Sequence, residues 1–249
     1  MCEEIISYMD FEKKFMYQFK KHNIPVNESE ALRFYKLTNI LLSENKKYNL
    51  TAIKDLDEII VKHYIDSIAP LAYFTIPENA KIIDVGTGAG FPALPLSIMR
   101  GDLNITFLDS SAKKINFIEK ATEKIELNKS KYIFCRERAE ILGRNIKMRQ
   151  TYDFALSRAV AKLNVLCELA SPFINTGGFF IAYKSQNATE EIAEAENSLK
   201  ILNLKIDEIA EFDLNCEKRF LIKIKKIKKT PPQYPRSFSN IIKSSIIKT

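Results

Sequence analysis

The chain has 249 residues, 46% of them hydrophobic, enough for one large α/β domain with an extension. Nothing in it approaches the roughly 18 uninterrupted apolar residues of a membrane-spanning helix, and the acidic start Met1-Cys2-Glu3-Glu4 is unlike a secretion signal, so a cytoplasmic protein without a membrane partner is expected. The net charge of +7 is uneven: Lys218 to Thr249 holds ten Lys or Arg and no acid, against 28 basic and 31 acidic side chains before it, a distribution that points to a polyanion such as nucleic acid.

From Glu3 to about Phe74 the apolar residues recur at three- and four-residue steps, which predicts helices. Ile5, Ile6, Met9, Phe15 and Phe19 mark the first. Asn27 followed by Glu30 reads as a capping box opening a second, and a third starts near Asp55 and runs through Ile59, Ile60, His63, Tyr64, Ile65 and Ile68. Residues 1–78 are accordingly read as a helical extension. Beyond Asn79, short apolar runs alternate with amphipathic stretches, the pattern of a doubly wound, mostly parallel sheet. Seven strands are expected at 81–85, 104–108, 132–135, 152–156, 178–183, 205–212 and 220–226, with helices at 92–100, 112–125, 162–174 and 189–201. Pro231, Pro232 and Pro235 break regular structure in the basic tail, residues 230–249. Cys2, Cys135, Cys167 and Cys216 form no CxxC pair, and His22 and His63 read as packed or solvated side chains, so no metal is expected.

The strand Ile82-Ile83-Asp84-Val85 runs directly into Gly86-Thr87-Gly88-Ala89-Gly90, with a helix to follow. Glycines there let a ligand sit against the backbone at the carboxyl end of the first strand. The spacing is not the GxGxxG of nicotinamide enzymes, whose third glycine would fall where Phe91 stands, and an apolar lining suits an adenosine better than a diphosphate. A class I S-adenosylmethionine-dependent methyltransferase fold, Rossmann-like, is therefore expected. Asp109 ends the second strand, where a carboxylate can accept from both ribose hydroxyls or cap the next helix; Ser110 and Ser111 follow it. Arg138-Ala139-Glu140 lies after the third strand, at the height of an adenine ring, where Glu140 could read the base edge or be a plain helix-start acid.

The segment after the fourth strand faces the transferred methyl. It reads Ser157-Arg158-Ala159-Val160-Ala161, with neither the Asn/Asp-Pro-Pro-aromatic turn of amino methyltransferases nor a nucleophilic cysteine. An acceptor that already owns a free lone pair, such as guanine N7, needs neither. The alternative is a class I methyltransferase acting on a small molecule or protein side chain, for which the basic end has no use; a module that only senses S-adenosylmethionine is a third.

Asn49-Leu50-Thr51-Ala52-Ile53, Lys62-His63-Tyr64-Ile65-Asp66-Ser67, Asp84 to Pro92, Asp109-Ser110, Arg138-Ala139-Glu140, Ser157 to Ala161 and the strand ending in Lys184 together resemble the bacterial small-subunit ribosomal RNA guanine-N7 methyltransferases, formerly called glucose-inhibited division protein B. The resemblance runs from about Tyr48 to Lys226. It implies that Gly86, Phe91, Asp109, Ser110, Ser111, Ala139, Glu140 and Arg158 surround S-adenosylmethionine, with Gly88 and Gly90 shaping the loop. It also implies that Arg158 lies between cofactor and substrate, and that Arg138, Lys184 and Arg219 face the RNA or the target base. The implied substrate is a guanine in a 16S rRNA loop near the decoding site, met as free RNA or in the small ribosomal subunit by a monomeric enzyme. With Lys184, the cations Lys218 to Lys229, among them Lys225, Lys226 and Lys228, are expected to form the RNA surface. Arg158→Ala is expected to abolish transfer and leave the fold intact. After Gln233-Tyr234-Pro235-Arg236 the family's Gly-Thr-Pro turn is replaced by Ser237-Phe238-Ser239-Asn240, which puts a direct role for the last dozen residues in doubt.

Overall fold

Ser7, whose hydroxyl accepts from Asp10 N, caps helix α1 (Tyr8–Lys21), and the capping box of Asn27 and Glu30 opens α2 (Glu28–Tyr48). The computed structural model describes residues 6–158 and 161–243, so Ile5, Cys2, the Ala159-Val160 step and Ser244 to Thr249 lie outside the described residues. The buried face of α1 is Phe11, Phe15 and Phe19, at a four-residue step, while Met9 is exposed, against the expectation that it packs. These rings interleave with Phe34 of α2 and Tyr64 at centroid distances of 4.0–5.7 Å, each Phe contributing roughly 2–3 kcal/mol of apolar burial.

Asp55 caps the third helix as expected, but this helix, α3 (residues 56–68), is not regular. It begins α-helical at Leu56–Glu58, widens into a π-helical run over Ile59–Ile65 and closes α-helically at Asp66–Ile68. Such widened turns carry functional side chains more often than regular ones do. A short turn, α4 (Pro70–Tyr73), leads to the sheet.

The seven strands are β1 (Lys81–Val85), β2 (Asn104–Asp109), β3 (Tyr132–Arg136), β4 (Tyr152–Arg158), β5 (Ile174–Lys184), β6 (Leu204–Leu214) and β7 (Glu217–Lys226), in the order β3-β2-β1-β4-β5-β7-β6. All neighbours are parallel except β7, which runs antiparallel to both β5 and β6. Helices α5 (Ala93–Met99), α6 (Ala112–Lys124), α7 (Ala139–Leu142), α8 (Leu163–Ala170) and α9 (Ala188–Ile201) make the crossovers, and α10 (Phe238–Lys243) follows the last strand.

Because strand side chains alternate, each strand feeds two cores. Ile82, Phe154, Leu156 and Ile181 pack with α1, α2, α3, α5 and α6 in one continuous core that includes Phe11 and Phe34. Ile83, Ala155, Phe180, Ile222 and Ile224 pack with α8 and α9 on the other face. Two boundaries differ most from the sequence reading. Helix α8 stops at Ala170, and β5 begins at Ile174 rather than Gly178 because Tyr152 pairs with Ile174 while Phe154 pairs with Phe179. The residues between bulge outward, and Gly178 is needed there: a Cβ would lie 2.6 Å from the Asp153 carbonyl oxygen.

The basic end also differs from the expectation. Ile241 of α10 is buried in the second core, and Arg236 forms an ion pair with Glu168 of α8, which is 1% exposed.

Candidate active site

The glycine loop turns where the carboxyl ends of β1 and β2 meet. Gly86 N and Thr87 N donate to Leu108 O, and Gly90 N and Phe91 N donate back to Thr87 O, closing a tight turn in which Gly86, Gly88 and Gly90 have φ of 76°, 60° and 89°. The last two glycines serve different ends. A Cβ on Gly90 would press on Leu94 at 3.0 Å, whereas one on Gly88 would meet nothing nearer than Gly86 O at 4.0 Å. Gly90 packs the helix; Gly88 leaves its face open to a ligand.

Above the turn is a cleft of about 520 Å³, within the usual range for a small-molecule site. Of the residues expected around the cofactor, Gly86, Gly88, Phe91, Asp109, Ser110, Ala139, Glu140 and Arg158 line it. Gly90 and Ser111 do not: Gly90 faces Leu94, and Ser111 is the N-cap residue of α6, its amide donating to Asp109 Oδ1 at 2.8 Å. Asp109 Oδ2 accepts from Gly88 N at 3.1 Å. Each carboxylate oxygen keeps a lone pair, so Asp109 is both pinned and able to accept further. Glu140, 9% exposed, accepts from Arg138 Nε at 2.5 Å.

The opposite wall was not legible as a site. The π-helical run of α3 presents His63, whose ring stacks on Phe91 at 4.4 Å and 9°. Its Nδ1 lies 3.4 Å from Arg158 Nη2 and its Nε2 2.8 Å from Thr51 Oγ1. A guanidinium can only donate, so Nδ1 is the acceptor and the ring proton sits on Nε2, toward Thr51. Burial, with Arg158 beside it, pushes the His63 pKa down to about 3. Arg158, which lies 5.4 Å over the Phe91 ring, donates through Nη1 to Lys62 O at 2.8 Å and to Asp66 Oδ2 at 2.9 Å. The sequence reading set His63 aside as a packed or solvated histidine. It is packed, and it also lines the cleft with Leu50 and Thr51. The signal available was that Thr51, His63 and Asp66 all fall within the first two of the motifs that carried the resemblance.

Five residues expected to face RNA or target do not line the cleft: Lys184, Arg219, Lys225, Lys226 and Lys228. Lys184 Nζ is drawn inward to Glu191 at 2.6 Å and to Ala161 O at 2.7 Å, its side chain 7% exposed. It fastens the segment after β4 to α9 rather than offering a charge to a substrate. Arg219 pairs with Glu217 at 2.5 Å and lies 3.9 Å from Asp66. Lys226 is fully buried, donating from Nζ to Ser171 O at 2.6 Å, and burial, aided by Arg149, lowers its pKa to about 7. It cannot touch RNA in this fold. Lys225 and Lys228 are displaced for a topological reason: β7 is antiparallel, so Phe220 lies beside Lys184 at the cleft end and Lys225 beside Phe179, about 17 Å down the strand. Arg138 alone of the expected RNA-facing cations stands at the mouth, its side chain 49% exposed.

The pocket also includes Lys114, Glu137, Leu169 and Phe238, none of them anticipated. Asp84, under the turn, is wholly buried. Its Oδ2 accepts from Thr87 Oγ1 at 2.7 Å, its Oδ1 has no partner among the described residues, and burial pushes its pKa up to about 7. Among the described residues no cluster of three or more His, Cys, Asp or Glu side chains could hold a metal ion, and no helix is long and apolar enough to cross a membrane.

A family profile described as rRNA small subunit methyltransferase G matches residues 30–220. This chain belongs to that family. A ribosomal RNA small subunit methyltransferase G from Clostridium botulinum is 43% identical over 229 residues, covering 91% of this chain and 94% of the relative. One from Streptococcus pneumoniae is 38% identical over 226 residues, covering 90% and 94%. Among solved structures, a SAM-dependent methyltransferase from Aquifex aeolicus superposes with a TM-score of 0.53 at 17% identity, over 74% of this chain and 97% of that one, which shows the shared fold. The seven-stranded sheet with one reversed strand is the class I methyltransferase architecture expected from the sequence.

Proposed function

We propose that this chain transfers the methyl group of S-adenosylmethionine to N7 of a guanine in small-subunit ribosomal RNA. The residues fit the cofactor: a glycine turn open at Gly88, a pinned carboxylate at Asp109 and an apolar wall at Phe91 meet in one cleft. When bound, S-adenosylmethionine supplies an electrophilic methyl carbon.

One observation favours N7 as the acceptor. The acid and base groups lining the cleft are already engaged: His63 holds Thr51 and faces Arg158, Asp109 accepts from Gly88 and Ser111, Glu140 accepts from Arg138 and Glu137 accepts from Arg138 N. His63, neutral down to about pH 3, has its acceptor nitrogen turned to a guanidinium, so it is not poised to take a proton from a substrate. A nucleophile that must lose a proton finds, among the described cleft residues, no histidine poised to take it and only hydrogen-bonded carboxylates, whereas guanine N7 attacks with the lone pair it has. The chain's contribution is then positioning: His63, Asp66 and the Lys62 carbonyl fix the Arg158 guanidinium beside Phe91, where it can orient the base.

The rim around this cleft supports RNA. Lys114 and Arg138 line the mouth, Lys113 lies 5.8 Å over the exposed ring of Tyr48, and Lys46 and Tyr48 lead directly into the cleft residues Leu50 and Thr51. Cations beside an exposed aromatic suit phosphates flanking an unstacked base. The test is methyl transfer from labelled cofactor to small ribosomal subunits, free 16S rRNA, total protein and a metabolite extract. Label in either RNA-containing sample supports the reading and tells which form of the RNA is used; label confined to protein or metabolites defeats it.

A further inference from the structure

The segment after β7 is fastened to the body at several points. Arg149 donates to the carbonyls of Thr230, Pro231 and Tyr234, and Arg144 to those of Gln233 and Pro235. Arg236 then grips Glu168 through its backbone amide at 2.7 Å and its guanidinium at 2.7 Å, and Ile241 plugs into the core. This strap carries Phe238 to the cleft, where it is a wall residue near Ala139, Glu140 and Leu169 and yet is 36% exposed. Arg138 lies 5.0 Å over the Phe238 ring while its Nε holds Glu140.

The Phe238 ring is an apolar wall of the cleft, which it shares with the Glu140 carboxylate and the small Ala139. The ring is therefore placed to meet a flat, uncharged group. Of the parts of S-adenosylmethionine only the adenine is flat and aromatic, and the glycine turn and Asp109, at the carboxyl ends of β1 and β2, suit the polar remainder. We infer that the C-terminal strap completes the cofactor site: Phe238 packs on the adenine, held in place by the Arg138–Glu140 pair, so that the strap sets how long the cofactor stays. This rests on the reading of the cleft as the S-adenosylmethionine site. It also gives a direct role to part of the atypical Ser237-Phe238-Ser239-Asn240 ending, where the sequence had put such a role in doubt.

The test is calorimetric titration of S-adenosylmethionine and S-adenosylhomocysteine into the full chain and its Phe238→Ala, Phe238→Trp and Asp109→Ala variants, with thermal denaturation of each. Aromatic–base packing predicts that Phe238→Ala weakens both ligands by about tenfold to a hundredfold with an unchanged melting temperature, and that Phe238→Trp restores binding. In turnover, Phe238→Ala raises the KM for the cofactor and leaves kcat near the wild-type value. Wild-type affinity in Phe238→Ala, or a loss that Phe238→Trp does not repair, overturns the inference. If Asp109→Ala also binds normally, the cleft is not the cofactor site and the parent reading falls with it; loss in Asp109→Ala alone overturns only the role of the strap.

Discussion

Arg158→Ala tests whether the Arg158–Asp66 pair is structural as well as functional. Arg158 and Asp66 have side chains only 13% and 10% exposed and are joined at 2.9 Å, with the Lys62 carbonyl as a second acceptor. Removing the guanidinium leaves the Asp66 carboxylate buried with Arg219 at 3.9 Å as its remaining cation. Breaking a buried pair from one side costs about 3–5 kcal/mol, and the backup from Arg219 places this case near the low end. At roughly 2–4 °C per kcal/mol for a chain of this size, the melting temperature should fall by about 6–12 °C. Replacing both partners, as Arg158→Met with Asp66→Asn, removes the unpaired charge and should recover more than half of the loss. Thermal and urea unfolding of the two single variants and the double give the coupling, and labelled-methyl transfer gives activity, which both the single Arg158 variant and the double should lack. Where the sequence reading expects an intact fold, the buried pair predicts inactivity together with destabilisation. A melting temperature within 2 °C of wild type in Arg158→Ala, about the precision at which a 1 kcal/mol effect would be missed, would refute the reasoning.

Three further outcomes follow from the site. The His63 pKa is depressed from 6.5 to about 3, so its contribution to stability is present above about pH 6.5 and fades as pH falls toward 3; the Asp84 pKa is raised from 3.8 to about 7, so stability is lost as pH rises from about 4 to 7. Relative to wild type, His63→Asn should therefore gain in melting temperature as pH falls below 6.5, and Asp84→Asn should gain as pH rises from 4 to 7; pH-independent differences would contradict both burial arguments. Gly90→Ala combines positive φ with a contact at 3.0 Å and should cost about 2–5 kcal/mol, whereas Gly88→Ala should cost about 1–2 kcal/mol yet weaken cofactor binding more, since its methyl faces the cleft. Titration and unfolding of the two variants should show this inversion, and equal effects would count against the assigned roles. Neutralising Lys46, Lys113 and Lys114 to Gln should raise the KM for RNA and flatten its salt dependence; the same change at Lys225, Lys228 and Lys229 should do neither, and the reverse result would return the RNA surface to the far end of the sheet.

The parts legible in the sequence were those set by local rules. The run Ile82 to Val85 followed by three glycines defines a buried strand and its turn within one short stretch, and Asn27 with Glu30 caps α2 through contacts three residues apart. The cleft's other wall depends on contacts 92–96 residues apart between Arg158 and α3, which no periodicity reveals. The π-helical run was hidden for the same reason, since its apolar spacing reads as an ordinary helix. Lys226 was misplaced although a signal existed: Ile222, Ile224 and Lys226 share one strand face, and the first two are core residues. Charge counting overrode that alternation. In the basic end as a whole, cations were counted without the partners that the fold supplies, such as Glu211 for Lys218, Asp207 for Lys223 and Glu168 for Arg236.

The central claim, methyl transfer to a guanine N7 of small-subunit RNA by positioning alone, is tested most directly by locating the methyl group. Small ribosomal subunits and free 16S rRNA lacking the modification, incubated with the protein and labelled cofactor, should yield 7-methylguanine at one site after digestion and mass spectrometry, with no such product from the Arg158→Met, Asp66→Asn double variant. Label on an exocyclic amine, on a ring carbon or on ribose would contradict the account, because each of those acceptors needs a proton removed and the described cleft residues hold no histidine poised to take it.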